Sequence, residues 1–369
     1  MAGIYIHIPF CKQPCHYCNF HFATSLRHKN ELVAALLKET ELRQKYFGRE
    51  TVETIYFGGG TPSLLPAEDL RSLADKIRSV HTVSGNAEVT LETNPDDINE
   101  EKILAWKEAG INRLSIGVQS FFDDDLQWMN RAHNANQAAG SLQLAVRHFD
   151  NITMDLIYGT PGLTNEKWKH NVETAISLGI PHLSCYALTV EPKTPLQKMI
   201  IQGKMQDVNP DKQSEQFLLL MQWLREAGYE HYEISNFAKP GFRSRHNSSY
   251  WSGKKYLGIG PSAHSFDGDS RQWNVSNNQQ YIDGINQETI PFEKEQLSAT
   301  QKLNEYIMTS LRTMEGLKLD QVKEDIAQQL LAVSKKYRDT GLMNLENNSL
   351  VLTKEGKLLA DGIAADLFF

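Results

Sequence analysis

Short runs of apolar residues alternate with longer segments of helical apolar spacing along roughly the first 230 residues. Each short run is followed by a turn signal, and this order is typical of repeated βα units. About six such units are predicted. Their strands are residues 3–8, 54–57, 87–92, 113–118, 152–158 and 182–188. The accompanying helices are residues 30–46, 67–80, 100–109, 134–148, 166–178 and 212–227.

Successive βα units favour an α/β fold with a mostly parallel sheet, because right-handed crossovers place consecutive strands side by side. The sequence therefore predicts a partial, TIM-like (β/α)6 barrel over residues 1–235. Beyond it the regular alternation fades. Residues 236–295 are predicted as a loop-rich extension, because residues 236–273 are rich in Ser, Asn, Gly and aromatic residues and resemble long functional loops with short strands.

The remaining residues, 296–369, predict a small winged-helix-like domain. Its elements are helices at 299–314, 319–324 and 326–340, a hairpin at 345–352 and a final helix at 354–365. This domain carries the basic residues Lys335, Lys336 and Arg338. Close to them in the sequence are the acidic residues Glu324, Asp325 and Asp339. Because these charges offset one another, the domain lacks the basic face of a DNA reader, and a lid or interface module is favoured.

Charge and hydropathy narrow the class of protein. The chain has 369 residues, with 38 basic and 45 acidic ones, and its formal net charge is -7. This balance disfavours nucleic acid as a partner. The N-terminus shows no signal-peptide pattern, and no stretch approaches the roughly 20 apolar residues that span a bilayer, so a cytoplasmic location is expected.

Three of the four cysteines, Cys11, Cys15 and Cys18, fall within eight residues, directly after the first predicted strand. This spacing is unsuitable for a disulfide framework and is typical of an inorganic site. Zinc would need a fourth protein ligand, for which His16 and His21 are candidates. An iron-sulfur cluster held by three thiolates would instead leave one iron without a protein ligand and open to an exogenous one. Cys185 lies alone in an apolar run and is expected to be a packing residue.

Five ordered motifs carry a resemblance to a known family. They are YIHIPFC at 5–11, YFGGGTP at 56–62, ETNP at 92–95, SIGVQSF at 115–121 and DLIYG at 155–159. With the cysteine spacing, they resemble radical S-adenosylmethionine enzymes and, more narrowly, the oxygen-independent coproporphyrinogen III oxidases. Each lies at or just beyond the C-terminal end of a predicted strand, the face where (β/α) barrels place their chemistry. The glycine turn alone would fit a plain tight turn equally well.

The resemblance implies a 4Fe-4S cluster on Cys11, Cys15 and Cys18 that binds S-adenosylmethionine through its open iron. It implies that Tyr5, Gly59 and Glu92 contact this first S-adenosylmethionine. Tyr17, Gly60, Thr61, Gln119, Arg131 and Asp155 correspond to contacts that the oxidase makes with a second one. The alternatives are ordinary surface or capping roles for the acids and for Gln119, and an ion pair for Arg131.

Two departures from the oxidase pattern point to its HemW branch of haem chaperones. Asn19 and Phe20 stand where the oxidase has a further cysteine, and the first strand begins without the oxidase's N-terminal extension. Residues 246–251 also match the His-Asn-x-x-Tyr-Trp motif of that branch. His246 is thus the haem-ligand candidate; the alternative is a packed aromatic turn in which it is hydrogen-bonded. His264 is a second candidate.

The resemblance thus implies a haem chaperone that binds the cluster, S-adenosylmethionine and haem, and passes haem to respiratory cytochromes or oxidases. A flavodoxin or ferredoxin would donate electrons if radical chemistry occurs, and delivery would bring the chain to the membrane periphery. The alternative is an enzyme that decarboxylates coproporphyrinogen III to protoporphyrinogen IX, so whether the chain is an enzyme stays open. A protein with a structural zinc site is the third possibility.

Overall fold

A computed structural model describes residues 2–369 and contains all six predicted strands, paired in parallel. They are β1 (Ala2–Ile8), β2 (Val52–Gly59), β3 (Val83–Thr93), β4 (Arg113–Gln119), β5 (Ile152–Tyr158) and β6 (His182–Ala187). Most of their residues are buried, which explains the apolar runs in the sequence, although Tyr5 and Asp155 at the centres of β1 and β5 are partly exposed. The predicted βα succession is confirmed.

At least one helix follows each of these six strands, as predicted. The helices are α1 (Lys29–Leu42), α2 (Ala67–Val80), α3 (Glu100–Glu108), α4 (Asp123–Trp128), α5 (Ala135–Ala145), α6 (Asn165–Ser177), α7 (Pro195–Ile201) and α8 (Pro210–Glu226). The sequence did not predict α4 and α7, because six or seven residues are too few to show a helical period. Within residues 2–369, no helix combines the length and the apolar character needed to cross a membrane.

The following part of the chain extends the same sheet. It contains β7 (Glu230–Glu233), β8 (Asn236–Ala238), α9 (Arg245–Trp251), β9 (Tyr256–Ile259), β10 (His264–Phe266), β11 (Ser270–Asn274), α10 (Asn278–Asn286) and β12 (Phe292–Gln296). In the described residues the strand order is β12-β11-β10-β9-β1-β2-β3-β4-β5-β6-β8-β7. Only β9 joins the parallel set, beside β1. The short strands were predicted, whereas α9 and α10 were not.

Packing joins this extension to the barrel. Leu257 and Ile259 of β9 are fully buried in the core formed by β1 to β6 and their helices. Cys185 lies in the same core, as predicted, with 1% of its surface exposed. The division of the chain at residues 235 and 295 stays a prediction.

A buried carboxylate fastens α1 to the extension. Glu39 has no exposed surface. One of its oxygens accepts from the Tyr281 hydroxyl (2.6 Å) and the Gly260 amide (2.9 Å), and the other accepts from Asn274 Nδ2 (2.9 Å). Arg43 lies 3.5 Å away and supplies positive charge. A buried carboxylate is costly unless its oxygens are paired, so these donors make Glu39 a structural link.

The C-terminal residues form a smaller domain with its own core. Its elements are α11 (Ala299–Leu311), β13 (Leu317–Lys318), α12 (Glu324–Asp339), β14 (Met343–Glu346), β15 (Ser349–Leu352) and α13 (Ala360–Asp366). The strands form an antiparallel sheet in the order β13-β15-β14. The predicted hairpin is present, and its turn is Asn347-Asn348, two residues with positive φ.

Two predicted helices of this domain differ from the structure. The helix at 319–324 is wrong, because only a 3-10 turn forms at Leu319–Gln321 and the chain is extended at Val322. Glu324 instead opens α12, where its charge favours the helix N-terminus. The final helix starts as a 3-10 turn, Gly356–Leu359, and becomes α-helical only at Ala360. A side chain on Gly356 would collide with the carbonyl oxygen of Leu342.

The two outer strands of the large sheet have different surroundings. Beside β7, the amide of Met314 donates to the carbonyl of Tyr232 (3.0 Å), and Glu233 forms a β-bridge with Thr313. The C-terminal domain therefore covers this edge. At the other end, β12 is exposed along its whole length and has the sequence Phe-Glu-Lys-Glu-Gln.

Replacing Tyr281 by Phe tests the Glu39 link, because it removes one hydrogen bond and keeps the ring. We expect the free energy of unfolding to fall by about 1.5–3 kcal/mol, the range for a hydrogen bond to a charged group. Urea denaturation followed by circular dichroism measures it. Tyr306→Phe is the control, because that hydroxyl donates to the carbonyl of Lys318 at the surface (3.1 Å). Equal losses in both variants would contradict a special role for Glu39.

Candidate cofactor site

Three cysteine side chains line one cavity of about 480 Å³ at the C-terminal ends of the parallel strands. Cys11, Cys15 and Cys18 lie on the loop after β1, and each is partly exposed. The Cys11 amide donates to the carbonyl of Ala23 (3.0 Å), and the Cys18 amide donates to that of Cys15 (3.3 Å), so the loop is held in place. The described residues contain no group of three His, Cys, Asp or Glu side chains placed to hold a single metal ion, whereas three thiols on one cavity match the donor set of a 4Fe-4S cluster with one open iron.

Burial raises the pKa of Cys11 and of Cys18, which favours the protonated form of these two thiols when no metal is bound. Burial raises the pKa of Cys11 to about 11, and the nearby Cys18 and Cys15 raise it as well, while a hydrogen bond with Thr61 lowers it. Metal binding requires thiolates and would release these protons. Among the described residues that line the cavity, neither His16 nor His21 is present.

Most of the residues expected to contact S-adenosylmethionine line the same cavity. They are Tyr17, Gly59, Gly60, Thr61, Glu92, Gln119, Arg131 and Asp155. They come from the ends of β2 to β5 and the loops that follow, together with the cysteine loop. Because these strands are parallel and adjacent, residues distant in sequence meet at one edge of the sheet.

The glycine turn after β2 is held tightly against its neighbours. Gly59 has a φ of 108°, and a Cβ on it would lie 2.5 Å from Nδ1 of His7. A Cβ on Gly60 would lie 2.6 Å from the carbonyl oxygen of Phe10. These positions therefore require glycine, and backbone rather than side chains forms this wall of the cavity.

Two carboxyl groups also line the cavity, and one of them is hydrogen-bonded to this turn. Glu92 accepts from the Tyr56 hydroxyl (2.8 Å) and the Gly59 amide (3.1 Å). Burial raises the pKa of Glu92 to about 7, with a further contribution from Asp155, while the bonds from Tyr56 and Gly59 oppose the shift. Burial likewise raises the pKa of Asp155 to about 6. Both groups can receive a cationic or hydroxyl-bearing ligand.

Polar side chains at and beyond the C-terminal ends of β3 and β4 form another wall of the cavity. Asn94 donates to the Thr61 hydroxyl (3.1 Å) and accepts from Arg131 (2.7 Å). Gln119, at the end of β4, has a φ of 70°, a conformation that residues with a side chain rarely adopt. Pairing between β4 and β5 shifts register between Gly117 and Gln119, which turns the Gln119 side chain into the cavity.

Tyr5 lies behind the cavity wall. Its hydroxyl is 3.1 Å from Nδ1 of His7, and its ring stacks on Tyr56 with centroids 6.1 Å apart. Tyr56 in turn bonds Glu92. The structure therefore connects Tyr5 to the predicted S-adenosylmethionine contacts through neighbours rather than placing it among the residues that line the cavity.

The structure does not bring His246 into the cavity. It lies on α9 with 1% of its surface exposed. Its Nδ1 is 2.7 Å from the Thr54 hydroxyl and its Nε2 is 2.9 Å from the Tyr250 hydroxyl, so both ring nitrogens are engaged. Burial lowers the pKa of His246 to about 3, which keeps the imidazole neutral. His264, the second haem candidate, is exposed on β10 beside Trp273.

A second cavity of about 970 Å³ lies between α9 and the C-terminal domain, and we call it the α9 groove. Its aromatic and thioether lining consists of Tyr232, Tyr250, Trp251, Tyr256, Phe266, Tyr306 and Met308. Its charged lining consists of the basic residues Arg243, Lys254, Arg271, Lys302 and Lys318 and the acidic residues Glu305 and Glu315. Tyr250 joins this groove to the buried imidazole of His246.

Sequence reasoning assigned no role to two residues that organise the site, Tyr56 and Asn94. Tyr56 fixes one oxygen of Glu92, and Asn94 fixes Thr61 and Arg131. Both lie inside motifs recognised in the sequence: Tyr56 is two positions before Gly58, and Asn94 is two positions after Glu92. Their motif positions were the available signal, but their partners could not be known without the fold.

Comparison with known proteins identifies the family. Residues 5–175 match the radical SAM superfamily, and residues 297–359 match the HemN C-terminal domain. A Bacillus subtilis protein described as heme chaperone HemW is 36% identical over 371 residues, which cover 98% of each chain. The chain belongs to the HemW family of radical SAM proteins. A Mycobacterium tuberculosis HemW is 34% identical over 374 residues, covering 99% of this chain and 94% of its own.

A solved structure agrees with this HemW assignment at the level of fold. Coproporphyrinogen III oxidase (HemN) from Escherichia coli, described as a radical SAM enzyme, superposes with a TM-score of 0.85 at 23% identity. The match covers 100% of this chain and 90% of the oxidase. The predicted radical SAM barrel with a C-terminal domain is confirmed. Membership implies a 4Fe-4S cluster and S-adenosylmethionine, while the residues that hold them stay a prediction.

Replacing Glu92 by Gln tests its predicted contact with S-adenosylmethionine, because the shape is kept and the negative charge is lost. We expect the affinity of the cluster-loaded protein for S-adenosylmethionine to fall about tenfold or more, equivalent to about 1.4 kcal/mol. Anaerobic equilibrium dialysis measures it. Glu191→Gln, a carboxylate on the same cavity without a bond to the glycine turn, is the control. Unchanged affinity in Glu92→Gln would refute the contact.

Proposed function

We propose that this HemW-family protein is a haem chaperone. It binds haem together with a 4Fe-4S cluster and S-adenosylmethionine, and it transfers haem to acceptors such as respiratory cytochromes or oxidases. The supporting observation is the 36% identity, over 98% of both chains, to a Bacillus subtilis protein described as a heme chaperone. The same proposal assigns the protein to the cytoplasm, with contact at the membrane surface only during delivery.

Cys11, Cys15 and Cys18 are the proposed cluster ligands. In support, all three line one cavity together with the glycine turn and Glu92. Tyr5, Gly59 and Glu92 are the proposed residues for S-adenosylmethionine at the open iron. Tyr17, Gly60, Thr61, Gln119, Arg131 and Asp155 are the proposed contacts for a second molecule. If radical chemistry occurs, the electron comes from a flavodoxin or ferredoxin.

The proposed seat for haem is the α9 groove. Its volume, about 970 Å³, lies at the upper end of the range for small-molecule sites. Aromatic rings such as Trp251 and Tyr256 offer flat faces to a macrocycle. Lys318 offers positive charge to its carboxylates, and Arg271 and Lys302 can do so when their ion pairs with Glu305 and Asp269 open. The groove thus combines the two features that a flat dicarboxylate needs.

His246 is the proposed iron ligand, reached from the groove through Tyr250. Its Nε2 is paired with the Tyr250 hydroxyl, so ligation requires this hydrogen bond to open. The neutral imidazole is the form that binds iron, and the low pKa of His246 maintains it at neutral pH. Thr54 at Nδ1 then holds the orientation of the ring.

A haem titration of the anaerobically reconstituted protein tests this seat. We expect one haem per chain with a defined Soret band. Trp251→Ala should weaken binding about tenfold, because it removes a wall of the groove. Phe20→Ala is the matched aromatic control, since Phe20 is 65% exposed at the cluster cavity. If Phe20→Ala weakened haem binding and Trp251→Ala did not, haem would be assigned to the cluster cavity, and the proposal that it binds in the α9 groove would be wrong.

The same haem titration, carried out on variants of His246 and Tyr250, distinguishes the iron ligand from the residue that is hydrogen-bonded to it. His246→Ala should shift or abolish the Soret band, because the iron loses its imidazole. Tyr250→Phe should retain the band or bind haem more tightly, because Nε2 no longer has to give up a hydrogen bond. An identical spectrum for wild type and His246→Ala would rule out His246 as the ligand.

A transfer assay distinguishes the chaperone from the enzyme. Haem-loaded protein is mixed with an apo-cytochrome, and we expect about one haem to move per chain, because a carrier is emptied stoichiometrically. In parallel, the reconstituted protein receives coproporphyrinogen III, S-adenosylmethionine and dithionite. Protoporphyrinogen IX formed steadily over many turnovers would contradict the chaperone and establish the oxidase.

A further inference from the structure

The guanidinium of Arg131 is directed at a cysteine sulfur. Its Nη1 donates to Sγ of Cys15 at 3.4 Å. Its Nη2 donates to Asn94 Oδ1 and to the carbonyl oxygen of Gly117, both at 2.7 Å. Two protein acceptors therefore hold one arm of the guanidinium, and the other arm is aimed at the thiol.

In residues 2–369, the positive charge of Arg131 lacks a counterion in its surroundings. Among the described residues, Arg131 has no carboxylate within ion-pair distance, and its Nε is buried without a hydrogen-bond partner. A buried cation without a counterion is costly, so negative charge is expected beside it. A cluster held by three thiolates would supply that charge at Cys15. Asn94 and Gly117 are neutral and only orient the group.

We propose that Arg131 is a positioning residue of the cluster, which donates a hydrogen bond to the ligating sulfur of Cys15 and raises the cluster's reduction potential. This inference rests on the proposed cluster at Cys11, Cys15 and Cys18. It is separate from the contact with a second S-adenosylmethionine that the oxidase resemblance implies, because it concerns the bond from Nη1 to Sγ of Cys15, and it leaves the Nε donor free for a ligand.

The direction of the effect follows from electrostatics. Reduction adds one electron, supplied by an external donor, to the cluster, and no bond forms or breaks. The reduced cluster is one charge more negative, so a fixed cation beside it stabilises the reduced state more than the oxidised state. Hydrogen bonds to cluster sulfurs act in the same direction. Loss of Arg131 should therefore make the cluster harder to reduce.

The experiment is a dithionite titration of the full-length reconstituted protein without S-adenosylmethionine, followed by electron paramagnetic resonance. Iron and sulfide are quantified in every sample. We expect a lower midpoint potential for Arg131→Gln, and an intermediate one for Arg131→Lys, which keeps the charge but loses the fork. Lys102→Gln removes a cation that faces Asp97 and Ser63, away from the thiols, and should leave the potential unchanged.

Each measured potential either supports or overturns the role of Arg131. An unchanged potential in fully loaded Arg131→Gln overturns the inference, even if its affinity for S-adenosylmethionine falls. If Arg131→Gln holds no cluster, Arg131→Lys decides: a lowered potential supports the role, and an unchanged potential overturns it. Absence of iron and sulfide from the wild type would instead refute the proposed cluster site itself, which separates the two failures.

Discussion

The cofactor cavity depends on the parallel pairing of β1 with β2, which sets Ile8 opposite Gly59. The amide of Gly60 donates to the carbonyl of Ile8 (2.8 Å), and the amide of Thr61 donates to that of Phe10 (2.6 Å). This pairing places the cysteine loop beside the glycine turn. Since the Gly59 amide also holds Glu92, the same contact connects the proposed cluster ligands to the carboxylate opposite them.

The large features of the fold could be predicted because each has a local signature. The strands β1 to β6 are continuous apolar runs, and Cys11, Cys15 and Cys18 are close in sequence. Motifs at consecutive strand ends must converge when the strands are parallel, so the gathering of Gly59, Glu92 and Asp155 followed from topology. These predictions required no knowledge of individual side-chain partners.

Features that depend on distant partners could not be predicted. The ligand contact of Arg131 stays a prediction, and nothing in the sequence indicated that Cys15, Asn94 and Gly117 accept its hydrogen bonds, because these residues are far apart in the chain. The burial of His246 depends on Thr54, on a different strand. The seven-residue helix α9 is capped by the Ser244 side chain, a signal too local to stand out in a loop-like segment.

The two ends of the large sheet are protected from self-association in different ways. Exposed edge strands offer unpaired amides and carbonyls that can recruit another chain into intermolecular sheets. On β12, alternating charges at Glu293, Lys294 and Glu295 oppose such pairing. On β7, the C-terminal domain occupies the edge through Thr313 and Met314. That domain thus acts as a built-in guard against aggregation, whatever its part in ligand handling.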